Sequence, residues 1–243
     1  MIVNFHDSIL TVVSNPGTLV PLFGKNHLYI LAFWSLICIA IPLMGLSFKP
    51  YHKHISILIF IFTIFQEIVD HWNRTIGAPL SLAADLPLHV CQYTLYLSTI
   101  LLFKKNQNIF EFCFYMTFSG GLQAMLTPDL NNSVNALGVI TFFSHHGMMI
   151  LILIWAIAVN KMKLRPLSYI KSMVYLNLIA IPVSTINYFT GGNYMYLAKK
   201  PPVDNPFLIG EHPFYIIGLE AVSLVYCFGL FLIMKLMGKT KRI

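Results

Sequence analysis

The stretch ALGVITFFSHHGMMILILIWAIAVN, residues 136–160, decides the fold. It contains no Asp, Glu, Lys or Arg, and its most polar part is the pair His145 and His146. A helix needs about 20 mostly apolar residues to cross the ~30 Å hydrocarbon layer of a bilayer. The stretch therefore predicts a transmembrane helix that carries two histidines inside the membrane.

The whole chain shares this apolar character. Of its 243 residues, 57% are hydrophobic and 10% are charged, and the mean hydropathy is +0.71. Soluble domains have about 45–50% apolar and about 25% charged residues, so an ordinary soluble domain is excluded. The counts of Gly (14), Pro (13) and Cys (4) also exclude a collagen-like chain or a disulfide scaffold.

Further segments of the same kind occur on both sides of this stretch. Together they predict an all-α polytopic membrane protein, a bundle of seven transmembrane helices, in which apolar side chains face lipid and one another. The predicted spans are residues 28–46, 55–73, 87–103, 108–127, 136–160, 168–189 and 213–235.

Basic residues alternate between the loops that join these spans. One set of loops holds 12 of the 16 Lys and Arg residues. Short loops rich in Lys and Arg stay in the cytoplasm, which predicts an N-terminus outside, a cytoplasmic C-terminus and a multi-pass protein of the cell membrane. This topology explains the net charge of +7, so no nucleic-acid partner is expected. The cytoplasmic set is Lys49, Lys53, Lys104, Lys105, Lys161, Lys163, Arg165, Lys171, Lys235, Lys239, Lys241 and Arg242.

Three parts are predicted along the chain. Residues 1–27 form an extracytoplasmic N-terminal segment, residues 28–236 the transmembrane domain, and residues 237–243 a basic cytoplasmic tail. The first residues show no basic stretch before a cleavable apolar run, so a short amphipathic piece on the membrane surface is expected. The long outer connection, residues 190–212, is either a lid or binding loop or a plain surface loop.

Polar side chains gather in the outer half of the predicted bundle. Ionisable groups are costly in a bilayer and normally face a bundle interior or a wet cavity. The pattern therefore predicts a polar pocket that opens to the extracytoplasmic side. For Glu67, Asp70 and His71, an interhelical hydrogen-bond cluster is the alternative. The expected substrate-binding residues are Glu67, Asp70, His71, His89, Gln92, Gln123, Asn187, Tyr188, Asn193 and Tyr194.

Cys91 differs from the other cysteines because it lies at this polar level. It begins a predicted helix, where the helix dipole favours a thiolate. A thiolate made by a histidine base attacks ester carbonyls, and lipid esters lie at the same depth. The remaining cysteines, which look like small core residues, are Cys38, Cys113 and Cys227.

Two histidines are candidates for the base. Adjacent residues on a helix point about 100° apart, so His145 and His146 have different surroundings. His145 shares its face with Thr141 and Gly138, whereas His146 lies among larger apolar residues such as Phe143. The spacing favours His145 as the base.

Several motifs resemble one family in the same order. They are LPLHVC (86–91), GGLQAMLTPD (120–129), HHG (145–147), NY (187–188) and GNYMYL (192–197). The chain is similar over about residues 28–236 to YwaF-like bacterial integral membrane proteins, which are related to the animal family of transmembrane protein 164.

The resemblance implies a chemistry for the predicted pocket. The animal relatives are described as acyltransferases that remodel ether phospholipids through a membrane-embedded Cys and His. On this sequence, the Cys corresponds to Cys91 and the His to the pair His145–His146.

The sequence thus predicts an integral membrane lipid acyltransferase or lipid hydrolase with a Cys/His pair. Its partners are membrane lipids, and neither a cofactor nor a metal ion is expected. A metal-dependent intramembrane lipid hydrolase is one alternative, and a non-catalytic binding or transport component is another. The residues that would hold the metal ion are Glu67, Asp70, His71, His89 and His145.

Overall fold

The computed structural model describes residues 19–77, 79–130, 135–201, 208 and 210–240. These residues form helices, turns and one isolated bridge between Leu164 and Thr240, with no β-strand among them. The helices are α1 (Lys25–Ser47), α2 (His52–Gly77), α3 (Val90–Ile100), α4 (Gln107–Met116), α5 (Leu122–Leu126), α6 (Ala136–Ala158), α7 (Ser168–Thr190) and α8 (Phe214–Leu236). A π-helical turn, Thr117–Gly121, separates α4 from α5 within one helical run.

Five of these helices, α1, α2, α6, α7 and α8, are long and apolar enough to cross a membrane. The all-helical membrane fold predicted from the sequence is therefore confirmed in this coarser form. The predicted span 87–103 contains α3, which has 11 residues and is about 16 Å long at 1.5 Å per residue. The predicted span 108–127 is the run of α4, the π turn and α5. Seven spans and the orientation of the termini stay predictions.

The late start of α3 has a local cause. Proline disfavours helical conformation in the residue before it. Pro87, three residues before the helix, therefore disfavours helical conformation at Leu86. Upstream, a turn is closed because Asp85 accepts a hydrogen bond from the Ser81 N–H at 2.7 Å. Helix α3 begins only after His89, which is its extended N-cap residue.

Helix α6 is the centre of the bundle. Its most apolar stretch is 72% buried inside the protein, against 6% for α8. Close approach to α1 depends on glycine: a Cβ on Gly147 would lie 2.2 Å from the Trp34 ring. The same arrangement recurs on α1, where a Cβ on Gly45 would lie 2.6 Å from the ring of Trp155. Two large indoles thus pack on two glycines, and this fixes α1 against α6.

The basic loops meet at one end of the bundle. Asn160 Nδ2 donates to the carbonyl of Leu101 at 3.1 Å, and the Leu164 N–H donates to the carbonyl of Lys239 at 3.0 Å. These contacts join three connections that are far apart in sequence. We call the following segments the basic end: residues 101–108, 159–167 and 237–240.

Several predicted segments fall outside the described residues. They include most of the predicted N-terminal segment (residues 1–18), part of the long outer connection (202–207 and 209) and the end of the basic tail (241–243). Within the described part, α1 begins at Lys25 and α8 ends at Leu236.

Replacing Gly147 by alanine tests the packing of α1 on α6. The new methyl group overlaps the Trp34 ring, so we expect a loss of about 1–3 kcal/mol in unfolding free energy. The matched control is Gly229→Ala in α8, where a Cβ meets no atom within 4 Å. Thermal unfolding in detergent should show a lower midpoint for Gly147→Ala and an unchanged or slightly higher one for the control. Equal midpoints would contradict this packing.

Reporter fusions test the predicted topology. An enzyme that is active only in the cytoplasm should work when fused after Ile243, and one that is active only outside should work when inserted near Asp204. The reason is the distribution of Lys and Arg between the two sets of loops. The reverse pattern would overturn the predicted sidedness of the polar pocket.

Candidate functional site

The Glu67 carboxylate joins three helices inside the bundle. Glu67 lies on α2 with 8% of its surface exposed. Its Oε1 is 2.7 Å from His145 Nδ1 of α6 and accepts a hydrogen bond from Gln66 Nε2, also at 2.7 Å. Its Oε2 accepts a hydrogen bond from the Tyr96 hydroxyl of α3 at 2.6 Å. This carboxylate is the hub of a group of hydrogen-bonded side chains that we call the polar layer. The polar layer consists of Gln66, Glu67, Asp70, Tyr96, Thr141 and His145.

The contact with Glu67 sets the state of His145. A carboxylate accepts hydrogen bonds, so Nδ1 carries the proton and donates it to Glu67. Nε2 is then the nitrogen with a free lone pair in neutral imidazole. It is buried and has no hydrogen-bond partner among the described residues. A histidine oriented by a carboxylate, with its other nitrogen free, has the arrangement of a general base.

A second carboxylate, Asp70, lies one turn further along α2. Its Oδ1 accepts from the Thr141 hydroxyl of α6 at 2.6 Å, and its Oδ2 accepts from Arg74 Nε at 2.9 Å. Arg74 also lies 3.9 Å from Asp85, in the turn before α3. These bonds form the interhelical cluster that was the alternative to substrate binding. The substrate-binding role of Asp70 and Glu67 stays a prediction.

His146 and His71 bond to their own helices. His146 Nδ1 is 2.8 Å from the carbonyl of Phe142, and the centroids of the His146 and Phe142 rings are 4.5 Å apart. His71 Nδ1 is 2.8 Å from the carbonyl of Glu67. The structure thus gives the two adjacent histidines of α6 different surroundings: one faces a carboxylate, the other an aromatic ring.

Cys91 lies in the first turn of α3. It is half-buried and packs against the apolar cluster that contains Leu95 and Val139. No hydrogen bond joins the Cys91 thiol to His145, whose Nδ1 bonds Glu67. Burial raises the pKa of the Tyr196 hydroxyl, and the electrostatic effect of the Asp129 carboxyl and the Cys91 thiol raises this pKa further.

The segment 192–197 is held against the turn before α3. His89 Nδ1 accepts from the Met195 N–H at 3.3 Å, and the His89 ring lies 5.5 Å from that of Tyr194. Asn187 pairs with the backbone of Tyr194 in both directions, at 2.9 and 2.8 Å. Met195 and Tyr196 both have left-handed backbone, with φ of 58° and 53°. Such strain persists where surrounding contacts enforce it.

The other predicted binding residues have varied positions. Asn193 accepts from the N–H groups of Ala198 and Lys199 and shapes its own turn. Tyr188 is 84% exposed on α7. Gln123 is exposed on α5, and its side chain bonds to no described residue. The structure brings none of these three to the Glu67–His145 pair by a hydrogen bond.

Four buried side chains have a polar atom without a hydrogen-bond partner in the described part of the chain. The atoms are Gln66 Oε1, Gln92 Oε1, Thr117 Oγ1 and His145 Nε2. Buried polar atoms are nearly always satisfied, so these are functional candidates. Gln66 and Tyr96 were not among the residues predicted from the sequence. For Tyr96 the signal was its spacing of four from Gln92, which places both on one face of α3.

The described residues contain no group of three or more His, Cys, Asp or Glu side chains arranged to hold a metal ion. Of the five residues of the metal alternative, Glu67 and His145 bond each other, His71 bonds the carbonyl of Glu67, and Asp70 bonds Thr141 and Arg74.

Comparison with known proteins identifies the family of the chain. The model of the TMEM164 family matches residues 22–231, which covers α1 to α7 and most of α8. No curated protein and no solved structure matches the chain. The matched region contains the whole polar layer.

Removing the Tyr96 hydroxyl tests the hub. Tyr96→Phe leaves Glu67 Oε2 without its donor, and a hydrogen bond to a charged group contributes about 1.5–3 kcal/mol. We expect a fall of this size in unfolding free energy, measured by thermal or denaturant unfolding in detergent. Tyr93→Phe on the same helix is the control, because the Tyr93 hydroxyl bonds to no described residue. A control variant as destabilised as Tyr96→Phe would refute the assignment.

Proposed function

The chain belongs to the TMEM164 family, and from this premise we propose that it is a membrane-embedded lipid acyltransferase or lipid hydrolase. In this proposal, Cys91 is the nucleophile and His145 the general base. The main support for this proposal is the contact between His145 Nδ1 and Glu67 Oε1 at 2.7 Å. His145 Nε2 is buried and has no hydrogen-bond partner among the described residues.

The pair supports base catalysis for an electrostatic reason. When Nε2 takes a proton, the imidazolium that forms is stabilised by the adjacent Glu67 carboxylate. Tyr96 and Gln66 hold that carboxylate by their own hydrogen bonds at 2.6 and 2.7 Å. The base is thus fixed before substrate arrives, as preorganised sites require.

Cys91 needs to approach His145 for the reaction. Catalytic hydrogen bonds are commonly long in ligand-free structures and tighten when substrate binds. Cys91 packs against the same apolar cluster as residues of α6, among them Phe143. The segment 192–197 reaches the start of α3, where the Met195 N–H donates to His89 Nδ1 at 3.3 Å. A lipid ester that enters between these elements would contact both the thiol and the base.

The proposed reaction proceeds in two balanced steps. His145 Nε2 takes the thiol proton of Cys91 as the sulfur attacks the ester carbonyl carbon. The carbon–oxygen ester bond breaks, the leaving alkoxide takes the proton from His145, and an acyl-thioester remains on Cys91. An alcohol or water then attacks the thioester, giving its proton to His145, which returns it to the departing thiolate. An alcohol acceptor gives a transferase and water gives a hydrolase.

The setting is a multi-pass protein of the cell membrane with lipids as partners. Glu67 is the sixteenth of the 26 residues of α2 and His145 is the tenth of the 23 residues of α6, so the pair lies beyond the middle of both helices, on the side away from the basic end. With Lys and Arg in the cytoplasm, the polar layer faces the outer leaflet, where lipid ester groups lie at the boundary between headgroups and acyl chains. No cofactor takes part in the proposed steps.

Single substitutions test the roles in purified protein. Cys91→Ala and His145→Ala should each reduce acyl exchange between phospholipid and labelled lysolipid in vesicles to the background rate. The double variant should lose no more than either single variant, because residues that act as a unit are not additive. The readout is the transfer of labelled acyl chains, followed by mass spectrometry of extracted lipids.

Two matched variants serve as controls for this experiment. His146→Ala removes the neighbouring histidine, whose ring packs on Phe142, and should lower stability while keeping turnover. Cys38→Ala removes a buried core thiol and should keep turnover too. Full acyl exchange in Cys91→Ala would end the thioester mechanism. Loss in His146→Ala with retention in His145→Ala would reverse the assignment of the base.

A further inference from the structure

A groove on the outside of the bundle runs away from the basic end. It has a volume of about 250 Å³ and lies between α3, α4 and α7. Its walls are apolar, which suits part of one acyl chain. The lining residues are Leu97 of α3, Ile109 and Phe112 of α4, and Tyr175, Leu178 and Ile179 of α7.

Polar and cationic groups stand at one end of this groove. Asn108, the second residue of α4, lines it and accepts a hydrogen bond from Arg165 Nη2. Through this hydrogen bond with Asn108, the Arg165 side chain adjoins the apolar walls of the groove.

Lys171 extends this cationic end. It lies four residues before Tyr175, so the two share one face of α7. Side chains on a helix lean toward its N-terminus, which directs Lys171 away from the groove walls and toward the basic end. Lys171 is exposed and forms no ion pair with any described residue. Its ammonium group is free for a ligand.

The local acid is already neutralised. Glu111 is the sole acidic residue in the sequence from 86 to 128, and it is 2% exposed. It accepts from the Arg165 backbone N–H at 2.8 Å and from Arg165 Nη2 at 2.6 Å. This bond holds the loop after α6 in place and leaves the lysines of the basic end without a partner carboxylate. The nearby exposed lysines are Lys104, Lys105 and Lys163.

We propose that this groove binds one anionic phospholipid, with an acyl chain along Phe112 and Leu178 and its phosphate between Lys171, Arg165 and Asn108. The charge selects the ligand, since cationic residues near a membrane surface attract anionic headgroups. A second copy of the chain would bring the same positive charges and is disfavoured. The proposal is independent of the acyl-transfer chemistry, which lies in the polar layer at the other end.

Native mass spectrometry of the full-length protein tests the proposal. The protein is mixed with phosphatidylglycerol and phosphatidylcholine of identical acyl chains, and the retained lipids are counted. Wild type should retain phosphatidylglycerol in preference. Lys171→Gln should reduce that preference about fivefold, the effect of one cationic residue near a headgroup. Lys49→Gln, an exposed lysine outside the groove, should leave it unchanged.

Two further arms separate a lipid site from other binding. Leu178→Trp fills the apolar wall and should also lower retention of phosphatidylglycerol, because the acyl chain loses its place. Inorganic phosphate should not raise the unfolding temperature of the wild type, whereas phosphatidylglycerol should. Equal retention of both lipids, equal effects of the Lys171 and Lys49 substitutions, no effect of Leu178→Trp, or stabilisation by phosphate alone would each overturn the proposal.

Discussion

A buried carboxylate is expensive unless hydrogen-bond donors surround it, and Glu67 is the point at which this protein meets that requirement. Donors from Gln66, Tyr96 and His145 reach its two oxygens at 2.6 to 2.7 Å. Those donors come from α2, α3 and α6, so the requirement also fixes how the three helices meet. Removal of one donor weakens the compensation of this buried charge and costs about 1.5–3 kcal/mol. Stability and the orientation of His145 therefore depend on the same contact.

The opposite end of the bundle is organised by a second buried carboxylate. Glu111 satisfies the backbone and guanidinium of Arg165 and fixes the loop between α6 and α7. This contact frees the surrounding lysines for lipid headgroups. The two acids thus have distinct consequences: Glu67 orients a histidine in the polar layer, and Glu111 shapes a cationic surface at the basic end.

Long apolar runs and their boundaries were predictable from the sequence because the bilayer sets a minimum helix length. Helices α1, α2, α6, α7 and α8 follow that rule. The short α3 does not, since Pro87 and the turn closed by Ser81 and Asp85 delay its start. A pattern of apolar residues does not record such turns, and α3 is therefore three residues shorter at each end than the predicted span 87–103.

The candidate site was predictable in part. Spacing along α6 placed His145 and Thr141 on one face, and in the structure both bond carboxylates of α2. Helix spacing says nothing about which side chains meet across helices, so the donors Gln66 and Tyr96 were missed. The packing of segment 192–197 on the turn before α3 also depends on contacts distant in sequence, such as that between His89 and Met195.

The most direct test of the central claim is the mass of the Cys91 peptide after rapid acid quench of protein mixed with phospholipid vesicles. With Cys91 as nucleophile and His145 as base, we expect an acyl adduct on Cys91 in the wild type and none in His145→Ala. Neutral hydroxylamine should remove this adduct. Steady acyl exchange with the adduct on a different residue, or with Cys91 unmodified throughout, would contradict it.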